Sequence, residues 1–215
     1  MLVEIWSDVV CPWCYIGKRR FEAALAEFEP RDEVEVRWRS LELDPAAPTD
    51  GGRDLVTHLG TKYRVGVDEA EAMIARITDA AAGEGLEYRL DRARPTGTFD
   101  AHRLLHHAAE HQRQDALQER LLAAYCRDGR HLGDHETLVE LAAGVGLDVA
   151  AARSVLAGDA YGAEVRADEA DGQRLGLTGV PFFVVDRRMA AAGAHPAANL
   201  LELLERAWSE REPAA

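Results

Sequence analysis

The feature that most constrains the fold is the motif CPWC, which places Cys11 and Cys14 between a short apolar run and a helical pattern. Residues 2–6 have the Val, Ile and Trp content of a β-strand. Residues 15–28 carry apolar side chains at near-helical spacing, and residues 34–38 form a second β-type run. Because so little chain separates the two runs, they are predicted to form a parallel pair with the helix on one face.

The rest of the chain is a long helical stretch followed by a second β-type region. Between residues 54 and 176, apolar residues recur at helical spacing almost throughout, in segments that stop at or near glycine or polar residues. Residues 179–186 return to β-type composition, and residues 187–193 can pair with them as a hairpin. Residues 196–208 have the pattern of an amphipathic helix. The predicted order is therefore βαβ, a helical block, and ββα.

This order predicts an α/β protein. A chain of 215 residues can be one large domain or a small domain that carries an insertion. The last residues, 209–215, are predicted to be a loose tail.

Charge and hydropathy exclude several classes of partner. The net charge of −13 comes from 38 acidic against 25 basic residues, so nucleic acid and anionic lipid are not expected partners. No apolar run approaches the ~18 residues that a membrane span requires. The start, "MLVEIW", lacks a basic region followed by an apolar core and a cleavage site. We therefore expect a cytoplasmic protein.

Three uses of the cysteine pair compete. A structural zinc site usually takes four Cys or His ligands, but the chain has one further cysteine, Cys126, and no second CxxC. A structural disulfide across so short a loop would remove little entropy from the unfolded chain, and cytosolic thiols stay reduced. We therefore favour a redox-active dithiol that needs no metal and no other cofactor. A non-catalytic binding module with a vestigial or metal-loaded dithiol is the competing interpretation.

The local geometry of the motif supports the redox interpretation. Residues three apart in a first helical turn lie on one face, at a separation that a disulfide can bridge. Pro12 suits the first helical position, which leaves Cys11 as the N-cap. The helix dipole then stabilises the thiolate of Cys11. We interpret Cys11 as the attacking nucleophile and Cys14, one turn deeper, as the resolving thiol.

The stretches "SDVVCPWCYIGKRRFEAAL" and "GVPFFVVD" resemble those of DsbA-like thioredoxin-fold oxidoreductases. More narrowly, "TGTFDAHRLLHHA" and "DHETLVELAAGVGLD" resemble the FrnE-type cytoplasmic subgroup. The resemblance implies a thioredoxin fold with a helical domain inserted between its βαβ and ββα halves. Residues 1–50 and 177–215 would form the thioredoxin-like domain, and residues 51–176 the inserted helical domain. It also implies that Pro181 is cis and lies against the CPWC motif. The expected substrate-binding residues are Pro12, Trp13, Val180 and Pro181, with the backbone at Val180 pairing with an extended substrate.

For three residues, the comparison with the resembling families suggests either a changed property or a particular role. Trp13 replaces the histidine of oxidising periplasmic DsbA proteins, so we expect a less oxidising disulfide. Glu4 resembles, with one residue of offset, the buried acid that shuttles protons to the resolving cysteine in thioredoxins. His195 stands in "AGAHP", where the subgroup usually has serine and glutamine, and is a candidate for altered substrate contacts.

The resemblance implies a thiol–disulfide oxidoreductase that acts on protein or small-molecule thiols and disulfides through a mixed disulfide on Cys11. Glutathione-dependent isomerases and kappa-class glutathione transferases share the inserted-domain fold, but typically have serine at the position of Cys11. Both cysteines are kept here, which favours redox chemistry, while use of glutathione stays an open alternative. The sequence predicts no particular oligomeric state.

Other cysteine and histidine residues have simpler interpretations. His102, His106, His107 and His111 lie on one predicted helix, and without a motif such as HExxH we expect a partly exposed helix face and no metal site. Cys126 lies in a helical pattern and is predicted to be a small buried hydrophobic residue, with a third redox thiol as the alternative.

Overall fold

The computed structural model of the chain describes residues 1–211. The strands are β1 (Leu2–Ser7), β2 (Glu35–Ser40), β3 (Phe182–Val185) and β4 (Met189–Ala192). The α-helices are α1 (Pro12–Glu27), α2 (Leu55–Tyr63), α3 (Val67–Gly83), α4 (Phe99–Glu110), α5 (Gln114–Cys126), α6 (His135–Gly144), α7 (Val149–Ala157), α8 (Gly162–Arg174) and α9 (Ala197–Ser209). Single 3-10 turns at Arg31–Glu33 and Leu90–Arg92 complete the described elements.

The four strands form one sheet in the order β2-β1-β3-β4. β1 runs parallel to β2, with Val3 opposite Val36, and antiparallel to β3, with Ile5 opposite Phe183. β3 and β4 form an antiparallel hairpin. The predicted βαβ and ββα units are therefore confirmed, as is the fold class, a thioredoxin-like α/β fold with a helical insertion.

The two faces of the sheet are covered by different helices. On one face, Val3 and Ile5 of β1 pack with residues of α1 and α9, and Phe21 stacks on Phe183 at 5.7 Å between ring centroids. On the other face, the Trp6 indole N–H donates a hydrogen bond to a carbonyl oxygen of α8 at 2.7 Å. A Cβ atom at Gly172 would lie 2.8 Å from that indole nitrogen, so only glycine lets α8 approach so closely.

The helical block, α2 to α8, shares one apolar core with the segment that carries the cysteines. Val9, Cys14 and Ile16 belong to the same buried cluster as Leu121 and Tyr125 of α5. Because the core is continuous, the CPWC motif lies where the block meets the sheet. The boundaries placed at residues 51 and 176 stay a prediction.

Local capping explains where several helices of the block begin. Asp54, Asp134 and Asp148 each accept a hydrogen bond from the backbone N–H three residues later, at 2.7–2.8 Å. Of the helices that the structure describes, none combines the length and the apolar character needed to cross a membrane.

The prediction of a loose tail that begins at residue 209 is wrong for residues 209–211. α9 continues to Ser209, and the guanidinium of Arg211 pairs with Asp186 at 3.2 Å, so the chain is still attached to the β3–β4 turn there. The remaining tail residues, 212–215, lie outside the described part of the chain.

Candidate active site

Cys11 and Cys14 occupy the positions expected of a nucleophile and a resolving thiol. Cys11 is the N-cap of α1 with extended backbone angles, and Pro12 is the first helical residue, so the predicted N-cap and the predicted first helical position are confirmed. The two cysteines lie close together, one helical turn apart, and both thiols are free. Cys11 is 6% exposed and Cys14 only 1%, so an approaching substrate meets Cys11 first.

The thiol of Cys11 does not cap the helix with its sulfur. No side-chain capping bond is formed, and the thiol donates instead to the carbonyl oxygen of Val180, at 3.9 Å. A protonated thiol is a donor, so it turns to a carbonyl and away from the backbone N–H groups of the helix. The amide of Cys14 donates to the carbonyl of Cys11 at 3.0 Å, which closes the first turn.

The segment before β3 approaches the motif as the resemblance implied. The Val180–Pro181 peptide bond is cis, which confirms that expectation. A Cβ atom at Gly17 would lie 2.7 Å from Cγ of Pro181, so glycine in α1 permits this contact. Pro181 is buried, while Val180 is partly exposed with its carbonyl toward Cys11.

Cys14 lies in a dry environment that disfavours its charged form. Burial raises the pKa of the Cys14 thiol well above its ordinary value, and the neighbouring Cys11 acts in the same direction. The Ser7 hydroxyl and the Asp8 backbone N–H oppose this effect by hydrogen bonding to the Cys14 sulfur. The side-chain amide of Gln118 in turn donates to the Ser7 hydroxyl at 2.9 Å.

Sequence reasoning missed Ser7 and Gln118. Ser7 ends the first apolar run, and its position before the motif is the only local sign of a role. Gln118 lies 111 residues further along the chain, on a helix whose pattern shows nothing unusual there. Only the packing of α5 against the end of β1 brings the two together.

Asp8, which precedes the motif, and His102 of α4 form a second buried polar pair. The carboxylate of Asp8 accepts a hydrogen bond from the backbone N–H of Leu43 at 2.7 Å, and Nε2 of His102 lies 3.5 Å from its other oxygen. His102 is 1% exposed, so the expectation of a partly exposed helix face is wrong for this residue. Within residues 1–211, no group of three or more His, Cys, Asp or Glu side chains is arranged to hold a metal ion.

The third cysteine, Cys126, lies in the same buried cluster as the motif cysteines. Cys126 is fully buried, as predicted for a small hydrophobic residue, and burial raises the pKa of its thiol. The neighbouring Tyr88 hydroxyl donates to the carbonyl of Pro12 at 2.6 Å and so fixes the backbone between the two motif cysteines.

The structure does not support Glu4 as a proton shuttle. Its side chain lies on the face of β1 that carries Trp6, opposite the face that packs on α1, because side chains alternate along a strand. Burial alone would raise the pKa of Glu4, but hydrogen bonds from Arg187 and Arg39, each at 2.8 Å, outweigh it and lower the pKa. Glu4 is therefore a permanently charged member of an ion-pair cluster.

A groove leads from Cys11 across the helical block. A cavity of about 160 Å³ beside Cys11 and Trp13 shares several lining residues with an adjoining cavity of about 540 Å³. The shared residues are Leu43, Asp44, Ala47, His58, Lys62 and Pro95. Trp13 is 39% exposed at the inner end of the groove, and the cationic side chains of Arg53 and Lys62 line its outer part.

His195 does not line this groove. It lies at a separate shallow cavity with Asn199 and Arg206 of α9. The suggested effect of His195 on substrate contacts would therefore have to act outside the groove beside Cys11.

Comparisons with known proteins agree with this geometry. A model of the DSBA-like thioredoxin domain matches residues 2–205. The crystal structure of a probable DsbA oxidoreductase from Streptomyces coelicolor superposes with a TM-score of 0.96 at 48% identity, over 100% of this chain and 93% of that one.

Two more distant proteins are also similar along most of their length. The uncharacterized Bacillus subtilis protein YwbO is 28% identical over 190 residues, which are 85% of this chain and 86% of that protein. The cytosolic disulfide reductase DsbM from Pseudomonas aeruginosa, solved with GSH, gives a TM-score of 0.66 at 21% identity. That alignment covers 97% of this chain and 100% of DsbM, and at this identity it shows the fold alone.

Proposed function

Because the chain belongs to the DsbA-like thioredoxin domain family of thiol–disulfide oxidoreductases, we propose that Cys11 and Cys14 are its redox-active pair. The observation that carries the proposal is their arrangement. Cys11 is the N-cap residue of α1 and lines the groove, and Cys14 lies one turn deeper, close to Cys11 and closed to solvent.

The proposed exchange proceeds through a mixed disulfide on Cys11. A substrate thiolate attacks Sγ of Cys11 in the Cys11–Cys14 disulfide, and Cys14 leaves as a thiolate with the electron pair. A second substrate thiolate then attacks the substrate sulfur of the mixed disulfide, and Cys11 leaves as a thiolate. The substrate has become a disulfide, and the enzyme has become a dithiol. The same steps in reverse reduce a substrate disulfide.

The surroundings of Cys11 support roles for four neighbours in binding substrate. The Val180 carbonyl, close to the Cys11 sulfur, supplies an acceptor for the backbone of an extended substrate. Pro181 holds that segment against α1, and Pro12 and Trp13 line the inner end of the groove. The proposed substrates are protein or small-molecule thiols and disulfides.

The motifs quoted above support placing the chain in the FrnE-type subgroup and in the cytoplasm. In that compartment thiols are kept reduced, so a dithiol of this kind would work catalytically and not as a structural bond. No metal and no cofactor beyond the dithiol itself enters the proposed reaction.

Glutathione is the second candidate substrate. The groove has an apolar inner end beside Cys11 and the cations Arg53 and Lys62 further out, an arrangement suited to a small thiol that carries carboxylates. An isomerase or transferase that only activates glutathione would use Cys11 without a resolving thiol, so the need for Cys14 separates the two chemistries.

The decisive experiment measures exchange with a peptide disulfide and with glutathione disulfide in matched cysteine variants. Cys11→Ser should abolish exchange with both, a loss of more than about 1,000-fold, because no nucleophilic sulfur faces the groove. Cys14→Ser should stop turnover and accumulate a mixed disulfide on Cys11, detected by mass spectrometry. Cys126→Ala, a buried cysteine outside the pair, should keep normal exchange.

Full exchange by Cys11→Ser would overturn the proposal. Turnover that survives in Cys14→Ser with glutathione, but not with the peptide, would favour the glutathione-activating chemistry.

A further inference from the structure

Exposed apolar side chains are concentrated beside the cysteine pair. Within residues 1–211 five large apolar side chains are exposed. Three of them, Trp13, Leu43 and Tyr63, line the inner cavity, which is the one of about 160 Å³ beside Cys11. Apolar side chains of α2 and α3 line this cavity as well. Exposed apolar surface gathered at one place marks a site of interaction, because burying it against a partner removes it from water.

Two cations without acidic partners lie further along the groove. Lys62 lines both the inner cavity and the outer cavity, which is the adjoining one of about 540 Å³, whereas Arg53 lines the outer cavity alone. Most arginines of the fold pair with carboxylates, as Arg39 and Arg187 do, but within residues 1–211 neither Lys62 nor Arg53 forms an ion pair. Both side chains are exposed, so they are available to a carboxylate of another molecule.

The other titratable groups of the outer cavity do not cancel these two charges. The carboxylate of Asp44 accepts a hydrogen bond from the backbone N–H of Ala46 at 3.2 Å and pairs with neither cation. Burial lowers the pKa of His58, and the charges of Lys62 and Arg53 lower it further, against the effect of Asp44. His58 is therefore neutral at pH 7, and the outer cavity keeps an excess of positive charge.

The order of these features along the groove describes its ligand. From Cys11 outward come an apolar wall, then Lys62, whose ammonium lies 5.9 Å from the ring centroid of Tyr63, and then Arg53. A ligand that matches this order carries a sulfur, an apolar group and carboxylates in succession. The outer cavity alone has the volume of a site for a drug-sized ligand, so a small thiol held at Cys11 leaves much of the groove empty. An extended polypeptide, which gains about 3.3 Å with each residue, covers its whole length.

We propose that the groove selects acidic polypeptide segments, with Lys62 and Arg53 as the residues that determine this specificity. The segment presents its cysteine to Cys11, an apolar side chain to Trp13 and its carboxylates to the two cations. The proposal rests on the proposed function, because the segment is held through the cysteine that exchanges with Cys11. The net charge of −13 does not prevent such binding, since charges more than about 8 Å away are largely screened at physiological ionic strength.

The test measures how fast the reduced, full-length protein reacts with peptides that carry one cysteine in a disulfide with 2-thiopyridine. The Cys11 thiolate attacks the peptide sulfur and the Cys11–peptide disulfide forms. The 2-thiopyridine sulfur leaves with the electron pair and takes a proton from water, and its absorbance gives the second-order rate constant. The peptides have blocked termini, a phenylalanine beside the cysteine, and two positions further along that are both Asp, both Asn or both Lys. One set carries these positions before the cysteine and another after it.

The Asp peptide should react about 3- to 10-fold faster than the Asn peptide at low salt, in the set that reacts faster, because two exposed charge pairs are formed. The Lys peptide should react most slowly. Raising the salt concentration to about 1 M should bring the ratio of the Asp to the Asn rate close to one.

Matched variants test the two cations separately. Lys62→Gln and Arg53→Gln should each lower the Asp-to-Asn ratio by about 2- to 4-fold, and Lys62→Arg should restore most of it. Lys62→Glu should reverse the preference between the Asp and Lys peptides. Arg76→Gln is the control and should keep the wild-type ratio. Arg76 of α3 is exposed and also has no acidic partner within the described residues, but it lines neither cavity.

The outcomes distinguish the proposal from the function on which it rests. If the wild type releases no 2-thiopyridine from any peptide and matches Cys11→Ser, the proposed function fails. If the wild type reacts equally fast with the Asp and Asn peptides at low salt, the proposed specificity is overturned and the function stands. An equal loss of the ratio in Arg76→Gln would assign the effect to net charge and would also overturn it.

Glutathione joined to 2-thiopyridine distinguishes the two sources of carboxylates. It should react more slowly than the Asp peptide and depend less on Arg53. If it reacts as fast as the Asp peptide and loses as much in Lys62→Gln and Arg53→Gln, the two cations serve a small thiol, and the polypeptide specificity is overturned.

Discussion

The two faces of β1 carry buried polar residues with opposite consequences. Glu4 and Ser7 are three positions apart on one strand and are both buried. Glu4 faces α8 and is held by two arginines, while Ser7 faces α1, and its hydroxyl acts to lower the pKa of the buried Cys14 thiol. Proximity to the motif along the chain therefore does not decide which polar group takes part in the chemistry. The face of the strand does, because neighbouring positions point to opposite sides.

Each carboxylate of the ion-pair cluster on the α8 face has an arginine partner. Arg39 connects the Glu4 carboxylate to Asp168 of α8 at 2.8 Å, and Arg187 connects it to Asp171 at 2.7 Å. A carboxylate with two guanidinium partners has no tendency to take up a proton at neutral pH. We therefore regard this face as the stabilising one and the α1 face as the reactive one.

The largest effect expected from this comparison is on stability. Glu4→Gln should lower the free energy of unfolding by about 2 kcal/mol, because Arg39 and Arg187 each lose one of their two carboxylate partners and Arg39 is only 17% exposed. The figure is below that of a fully buried pair, since Arg187 is 45% exposed. Urea unfolding measures it, with Glu35→Gln as the control, because Glu35 forms an exposed pair with Arg37 and should cost less than about 0.5 kcal/mol.

Glu4→Gln also tests whether the α8 face of β1 is separate from the chemistry at the cysteine pair. Exchange per folded molecule should be unchanged in Glu4→Gln. Slower exchange per folded molecule in this variant would show that Glu4 affects the chemistry of the cysteine pair, and would contradict the division between the two faces.

A smaller change in stability is expected at acid pH. The pKa of Glu4 is lowered in the folded protein, so its contribution to stability is fully present above the pKa of an unfolded glutamate, about 4.3. That contribution is lost as pH falls through the folded value. The stability difference between wild type and Glu4→Gln should thus be constant from pH 7 to about 5 and shrink below about 4. Urea unfolding across this range measures it, and a difference that grows toward low pH would contradict the assignment.

The smallest effect concerns the reactive face. Trp13→His should make the reduction potential less negative by about 20 mV, because an imidazolium beside Cys11 stabilises the reduced form by about 1 kcal/mol. The wild-type potential should be well below about −120 mV, the value of the strong oxidants. Equilibration with glutathione buffers measures both, and Trp13→Phe, which adds no charge, should match the wild type.

Much of the fold follows from local pattern. The runs that became β1, β2 and β3 show the β-type composition of buried strands, and the amphipathic spacing of residues 196–208 places α9 within one residue of its observed bounds. The helix start at Pro12 follows from a proline with no N–H to satisfy. Such features depend on residues a few positions apart, so a single sequence displays them.

The rest depended on how distant segments pack. His102 is buried against Asp8, because α4 lies under the loop that precedes the motif. The apolar spacing along the helix does not predict that contact. The face on which Glu4 lies depended on the strand register, where an offset of one residue exchanges the two sides of the sheet.

By itself the sequence determined a capped helix, a cysteine pair spaced to meet on one helical face, and the strands on either side. Hydrogen bonding and steric exclusion between near neighbours are enough for that. Only the tertiary structure decided that Ser7 lies on the face of β1 that packs on α1 and Glu4 on the opposite face, and that a glutamine 111 residues away donates a hydrogen bond to Ser7. Contacts of that kind exist only after the core shared by the helical block and the motif has closed, because packing alone brings such groups within bonding distance.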